Sequence, residues 1–209
     1  MKTGIYFRTL FLIVLTSLVG ACTTQVSYNR VYLGNPSLSG MVPLSGKAAL
    51  VISQSDQDYV FSGSPTSFTG GGTTLNIPLG EINREAARLV FDDLFQDGVE
   101  VIAQRPTSTG YAAIIEPTVG NYQYSYNQLK NLGFAITPEA MLSVQVSLVN
   151  ENTEIVFSKS YDSGLRSGDS YMLSTEPTER ISEMTHGLFV ELLTMAAKDF
   201  HLELMKQQD

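Results

Sequence analysis

From Leu142 to Leu148 apolar and polar side chains alternate without a break: Leu142, Val144, Val146 and Leu148, with Ser143, Gln145 and Ser147 between them. A period of two sends every apolar side chain to one side of an extended chain, so this segment, with Met141 ahead of it, reads as a strand with one buried and one wet face. Asn150-Glu151-Asn152-Thr153 then supplies a turn, and Glu154–Tyr161 returns as its antiparallel partner. A two-stranded hairpin is not stable alone in water, so other elements must cover its apolar face. Two helical patterns can do so. Leu79, Ile82, Ala86, Leu89, Val90, Leu94 and Phe95 recur at three- and four-residue steps, and Asp97-Gly98 ends that helix. Pro177 opens a longer one, with Ile181, Met184, Leu188, Leu192 and Met195 in one stripe and Phe189, Leu193, Ala196 and Phe200 widening it.

Further strands are expected at Lys47–Ser53, whose apolar run suits burial on both faces, and at Asp58–Phe61, which would pair with it. Val99–Ile102 and Ala112–Ile115 read the same way, the latter continuing past a break at Pro117 into Tyr122–Tyr126. A short strand is also expected at Val31-Tyr32-Leu33. Ser62–Pro78 and Asp162–Glu176 show no apolar period and read as loops. The expected fold is α+β: a mostly antiparallel sheet of about five strands with two helices packed on one face.

The N-terminus has a different character. Lys2 and Arg8 precede Leu10–Leu15 and a stretch of small residues, the layout of an export signal whose apolar core is too short to be a committed membrane span. Cys22, the only cysteine of the chain, follows directly. An exported protein passes through an oxidising compartment, where a thiol with no partner is a liability. Leu18-Val19-Gly20-Ala21-Cys22 resembles the lipobox of bacterial lipoproteins. That resemblance implies that Cys22 becomes a lipidated mature N-terminus, and Thr23 after it, where no aspartate stands, implies delivery to the outer membrane. The expected organisation is a signal peptide at 1–21, a flexible tether at 22–45 and a periplasmic domain at 46–209. Cleavage would remove Lys2 and Arg8 and no acid, taking the net charge from −8 to near −10. Such a surface repels nucleic acid and anionic headgroups, so attachment to the membrane must come through the lipid.

The lipobox, first strand, helix ending in Asp97-Gly98-Val99-Glu100-Val101, the hairpin and the long terminal helix together resemble the small YajG-like lipoproteins, and equally the auxiliary lipoproteins of envelope ABC transporters. The resemblance implies a non-enzymatic role in the cell envelope and no particular ligand. The expected function is that of an outer-membrane-anchored accessory or assembly component of an envelope machine, with an envelope protein as partner. The alternative is a structural subunit of a ring-forming homo-oligomer at a secretion or polysaccharide-export channel, for which exposed sheet edges would supply contacts.

No catalytic constellation emerges, and no cofactor or metal is expected. His186 and His201 stand fifteen positions apart on the terminal helix, whereas a helical metal pair needs ligands one turn apart. No Gly-x-Ser-x-Gly elbow is present. Gly70-Gly71-Gly72 lacks the Gly-Lys-[Ser/Thr] ending of a phosphate loop. Asp92-Asp93 point in different directions on a helix and read as a solvated face. Tyr122, Tyr124 and Tyr126, spaced by two, would line one side of a strand. There they either stack on a glycan or a partner protein, or stabilise neighbouring strands.

Overall fold

The computed structural model describes residues 22–38, 40–67, 72–106, 110–129, 135–149, 154–172 and 177–206. The export signal at 1–21 and the turn expected at 150–153 lie outside them. In chain order come β1 (Cys22–Gln25), a 3-10 turn (Arg30–Leu33), β2 (Ala48–Val51), a single helical turn α1 (Gln54–Gln57), β3 (Phe61–Gly63), β4 (Thr73–Ile77), α2 (Leu79–Asp92), β5 (Val99–Ile102), β6 (Ala113–Asn127), β7 (Thr137–Val149), β8 (Ile155–Asp162), β9 (Arg166–Ser167) and α3 (Pro177–Lys206).

The spine is the long hairpin β6–β7, in register from Ile114 opposite Val149 to Asn127 opposite Thr137, with one irregularity between Val119 and Tyr122. Here β6 runs unbroken through Pro117, where a break was expected. β8 pairs antiparallel along the outer half of β7, and β9 continues that edge along its first residues. On the other side β2 runs parallel to both β5 and β6, giving the order β5-β2-β6-β7-β8. The sheet is therefore mixed, not mostly antiparallel. The cause lies in the connection: the chain leaves β2 and passes through α1, β3, β4 and α2 before β5 begins, and such a crossover returns it to its starting end. Ala49 and Leu50 point to opposite faces and are both fully buried, as a parallel strand requires.

A second sheet has the order β1-β4-β3, with β4 parallel to β1 and antiparallel to β3. Two expectations fall here. Ser62–Pro78 is not all loop, because Leu75 and Ile77 alternate inward from a stretch of threonine and asparagine. Asp58–Phe61 does not pair with β2; only Phe61 is strand, and it pairs with Ile77. Nor is 22–45 a tether. Val26, Leu33 and Leu44 are buried in the main core, Val26 N–H donates to the Asn76 carbonyl at 2.8 Å, and residues 30–33 form a 3-10 turn instead of a strand. Among the described residues, 22–45 already pack against the domain expected to begin at 46.

The two long helices lie together on one face of the larger sheet, joined to each other by Phe91 against Phe200 at 5.9 Å and to β8 by Phe157 against Phe200 at 5.1 Å. Met195, expected in the α3 stripe, is exposed; the buried band centres on Phe189, Leu192, Leu193, Ala196, Ala197 and Phe200. Asp92 turns back at the end of α2, its carboxylate accepting from Val99 N–H at 3.0 Å, and Gly98 takes the left-handed conformation (φ 68°) that closes the turn. Among the described residues the other sheet face carries one small buried cluster, Ala49, Ile114 and Val149, beside hydroxyls and amides such as Gln145, Ser147 and Ser158.

Candidate functional site

Where the N-terminal segment crosses the first half of α3, polar groups cluster around His186. Its Nδ1–H donates to the Ser182 carbonyl at 2.7 Å, and its Nε2 accepts from the Asn29 backbone N–H at 3.1 Å. Tyr28 and Tyr32 flank the ring, with centroids 5.6 and 5.7 Å away. The Tyr32 hydroxyl donates to Glu179 at 2.7 Å, a bond that raises the phenol above its ordinary pKa. Beside these groups opens a cleft of about 390 Å³ lined by Gln25, Val26, Asn29, Tyr32, Glu179 and Ser182 among others. Both nitrogens of His186 are thus engaged in the neutral form, so the ring serves as a clasp and not as a free base or metal ligand.

That arrangement has a pH consequence. Burial lowers the His186 pKa below its ordinary value of 6.5. As pH falls through 6.5 the unfolded chain takes up a proton that the folded ring resists, so stability is complete above that value and declines below it. The slope reaches at most about 1.4 kcal/mol per pH unit until the folded ring itself protonates. Denaturant melts at pH 7 and pH 5.5 should show the loss, and His186→Gln should flatten it. An unchanged slope in that variant would exclude the clasp as its source.

The three tyrosines do not form an open face. Tyr122, Tyr124 and Tyr126 are all buried, which corrects the reading of them as a partner or glycan contact and fits the other reading, that they stabilise neighbouring strands. Alternation does put them on one side of β6, but that side meets Phe61 of β3 and Leu75 of β4. Phe61 stacks edge-on against Tyr122 at 4.9 Å, and Tyr124 against Tyr126 at 5.8 Å. The Tyr122 hydroxyl shares a 2.8 Å hydrogen bond with Thr185, and the Tyr124 hydroxyl donates to the Gly63 carbonyl at 2.9 Å. Burial raises all three phenols, Tyr124 to about 12.

The remaining candidates also have structural partners. His201 Nε2–H donates to the Val42 carbonyl at 3.0 Å, far along α3 from His186. Among the described residues no group of His, Cys, Asp and Glu could hold a metal ion. Gly70 and Gly71 lie outside the described residues. Sequence reasoning missed Glu139, a buried carboxylate on β7 that accepts from Ser125, Asn127 and Ser167 and so ties β6 and β9 to β7. It also missed the Tyr28–Asn29–Tyr32 clasp, because a segment rich in Ser, Asn and Gly reads as linker. The one available signal was the four-residue spacing of the two tyrosines.

No family model matches the sequence, and a search of curated proteins finds no match either. Solved structures do resemble it. A Helicobacter pylori protein described as a candidate neuraminyllactose-binding hemagglutinin homolog superposes with a TM-score of 0.51 at 11% identity, covering 84% of this chain and 94% of its own. The two share a fold. Lower scores, 0.33 and 0.35, relate the chain to a candidate lipoprotein from Caulobacter crescentus (17% identity; 62% of this chain, 82% of that one) and to the PelC dodecamer from Paraburkholderia phytofirmans (12%; 75% and 92%). The likeness to the Helicobacter pylori protein extends to the fold and no further.

Proposed function

We propose that this chain is a lipoprotein held on the periplasmic face of the outer membrane by acylation of Cys22, and that it acts there as a non-enzymatic accessory or assembly component of an envelope machine. The observation that carries the reading is the position of Cys22: it closes the lipobox-like Leu18-Val19-Gly20-Ala21-Cys22 after the apolar run Leu10–Leu15, and it lies in β1 of the packed domain. The lipobox, and the likeness of the element order to YajG-like and transporter-auxiliary lipoproteins, support it. A second reading, a ring of identical subunits, is favoured by the outer edge of β8, where Ile155 and Val156 are exposed on a strand with no neighbour beyond it among the described residues.

Cells producing the parent protein should carry it in the membrane fraction with an acyl-chain mass on Cys22, and Cys22→Ser should move nearly all of it to the periplasm. Membrane association that survives the substitution would overturn the anchor. Crosslinking the parent in intact cells then separates the two readings: a band containing a second protein supports the accessory role, and a ladder of multiples of this chain supports the ring.

A further inference from the structure

The end of the domain that holds Cys22 can be followed by hydrogen bonds across the fold. Cys22 lies opposite Thr73 at the start of β4. The neighbouring Thr74 hydroxyl is 3.4 Å from that of Ser64, and the chain after Ser64 runs along β6, with Thr66 N–H donating to the Tyr124 carbonyl and Ser67 accepting from Tyr126 N–H, both at 2.9 Å. Cys22 is therefore level with about Tyr124, close to where β6 ends at Asn127. Leu129 follows, its N–H donating to the Asn127 side chain. Ile136, entering β7, bridges Tyr171, which places Met172 at the same end. Tyr32 bonds Glu179 in the first turn of α3, and this brings Val31 there too.

These three side chains are well exposed: Leu129 is 89% exposed, Val31 81% and Met172 69%, three of the four most exposed large apolar residues described. On the lipid-anchor reading, on which this step rests, no slack chain separates the acylated residue from β1, so this end cannot stand off from the bilayer. From Tyr124 to Asn127 the strand advances roughly 10 Å, more than the roughly 5–7 Å depth of one headgroup layer.

We infer that Val31, Leu129 and Met172 form a membrane-docking surface that rests in the boundary between headgroups and acyl chains. The occupant is a lipid surface bound through its apolar layer, because a processed chain of net charge near −10 gains nothing from anionic headgroups. Docking by two signals, acyl chains and an apolar rim, fixes orientation as well as attachment, presenting the opposite end, with the α2–β5 turn, to the periplasm.

The chain contains no tryptophan, so a single introduced indole reports its own surroundings. The acylated protein carrying Leu129→Trp or Met172→Trp is reconstituted in phosphatidylcholine vesicles with brominated acyl chains, with Gln96→Trp on the α2–β5 turn as the distant control. Both docking reporters should be quenched at least about twofold more than the control, with blue-shifted emission, as indoles at the acyl boundary are. Mass spectrometry of the same samples reads Cys22. Acylated protein with all three reporters equally unquenched overturns the docking surface and leaves the anchor standing, the result also expected if a protein covers this end. Unacylated Cys22 overturns the anchor and the docking together.

Discussion

Replacing Tyr122, Tyr124 and Tyr126 together with serine is expected to leave a chain with no cooperative thermal transition. Each ring is buried, and truncating a buried aromatic side chain removes about 3–5 kcal/mol. Tyr122 and Tyr124 share Phe61 and Tyr124 touches Tyr126, so the three losses will not add simply. Even about half their sum rivals the roughly 5–15 kcal/mol by which a domain is stable. Tyr124→Phe is the contrasting variant. It keeps the ring and removes the hydroxyl with its bond to the Gly63 carbonyl, so it should lose about 1 kcal/mol and lower Tm by about 2–4 °C. Circular dichroism melts of both check this. A triple variant that melts cooperatively close to the parent would refute the placement of these rings in the core.

The same three residues show where sequence reasoning stops. Spacing by two established that the rings share a side of one strand, and that much was legible. Which side faces the interior depends on what lies against it, and the cover comes from Phe61 and Leu75, some fifty residues earlier. Leu75 and Ile77 sit in a Thr- and Asn-rich stretch whose apolar period is only two residues long, too short to stand out from a loop. By contrast, β7, α2 and α3 each bury a long periodic face, and β8 follows β7 as its hairpin partner, so their positions could be read directly. The direction of β2 could not. Its apolar run announced burial on both faces, but parallel pairing is decided by the length of the crossover that follows, and that crossover passes through the unread second sheet.

The N-terminal segment failed for a related reason. Val26, Leu33 and Leu44 are too widely spaced to form a pattern, and each is buried against a partner distant in sequence. The polar anchors of the segment are equally remote: Asn29 meets His186 and Tyr32 meets Glu179, contacts across about 150 residues that no local signal encodes. Linker-like composition here reflects a strap lying over a finished core, with backbone groups bonded to Asn76, Leu94 and His186 in place of a regular ladder.

A pair of identical substitutions on two helices should give opposite results. Glycine within a helix is less favourable than alanine by about 1 kcal/mol, so propensity alone predicts that Gly→Ala stabilises at either Gly80 or Gly187. At Gly187, exposed on α3, an added methyl group meets nothing, and Gly187→Ala should gain about 0.5–1 kcal/mol. At Gly80, in the first turn of α2, the same methyl would overlap the Asp56 carbonyl oxygen and press on that of Gln57. These are backbone atoms of α1, held in turn by the Gly80 N–H donating to the Tyr59 carbonyl at 2.9 Å, so no side chain can swing aside. Overlap with fixed backbone outweighs the propensity gain. Gly80→Ala should destabilise by about 3 kcal/mol, near the upper end for overpacking, and lower Tm by roughly 6–12 °C in a domain of this length. Thermal melts of the two variants against the parent decide the matter. A Gly80→Ala protein as stable as Gly187→Ala would mean that α1 does not sit against the start of α2, and that the crossover from β2 into the second sheet takes a different path.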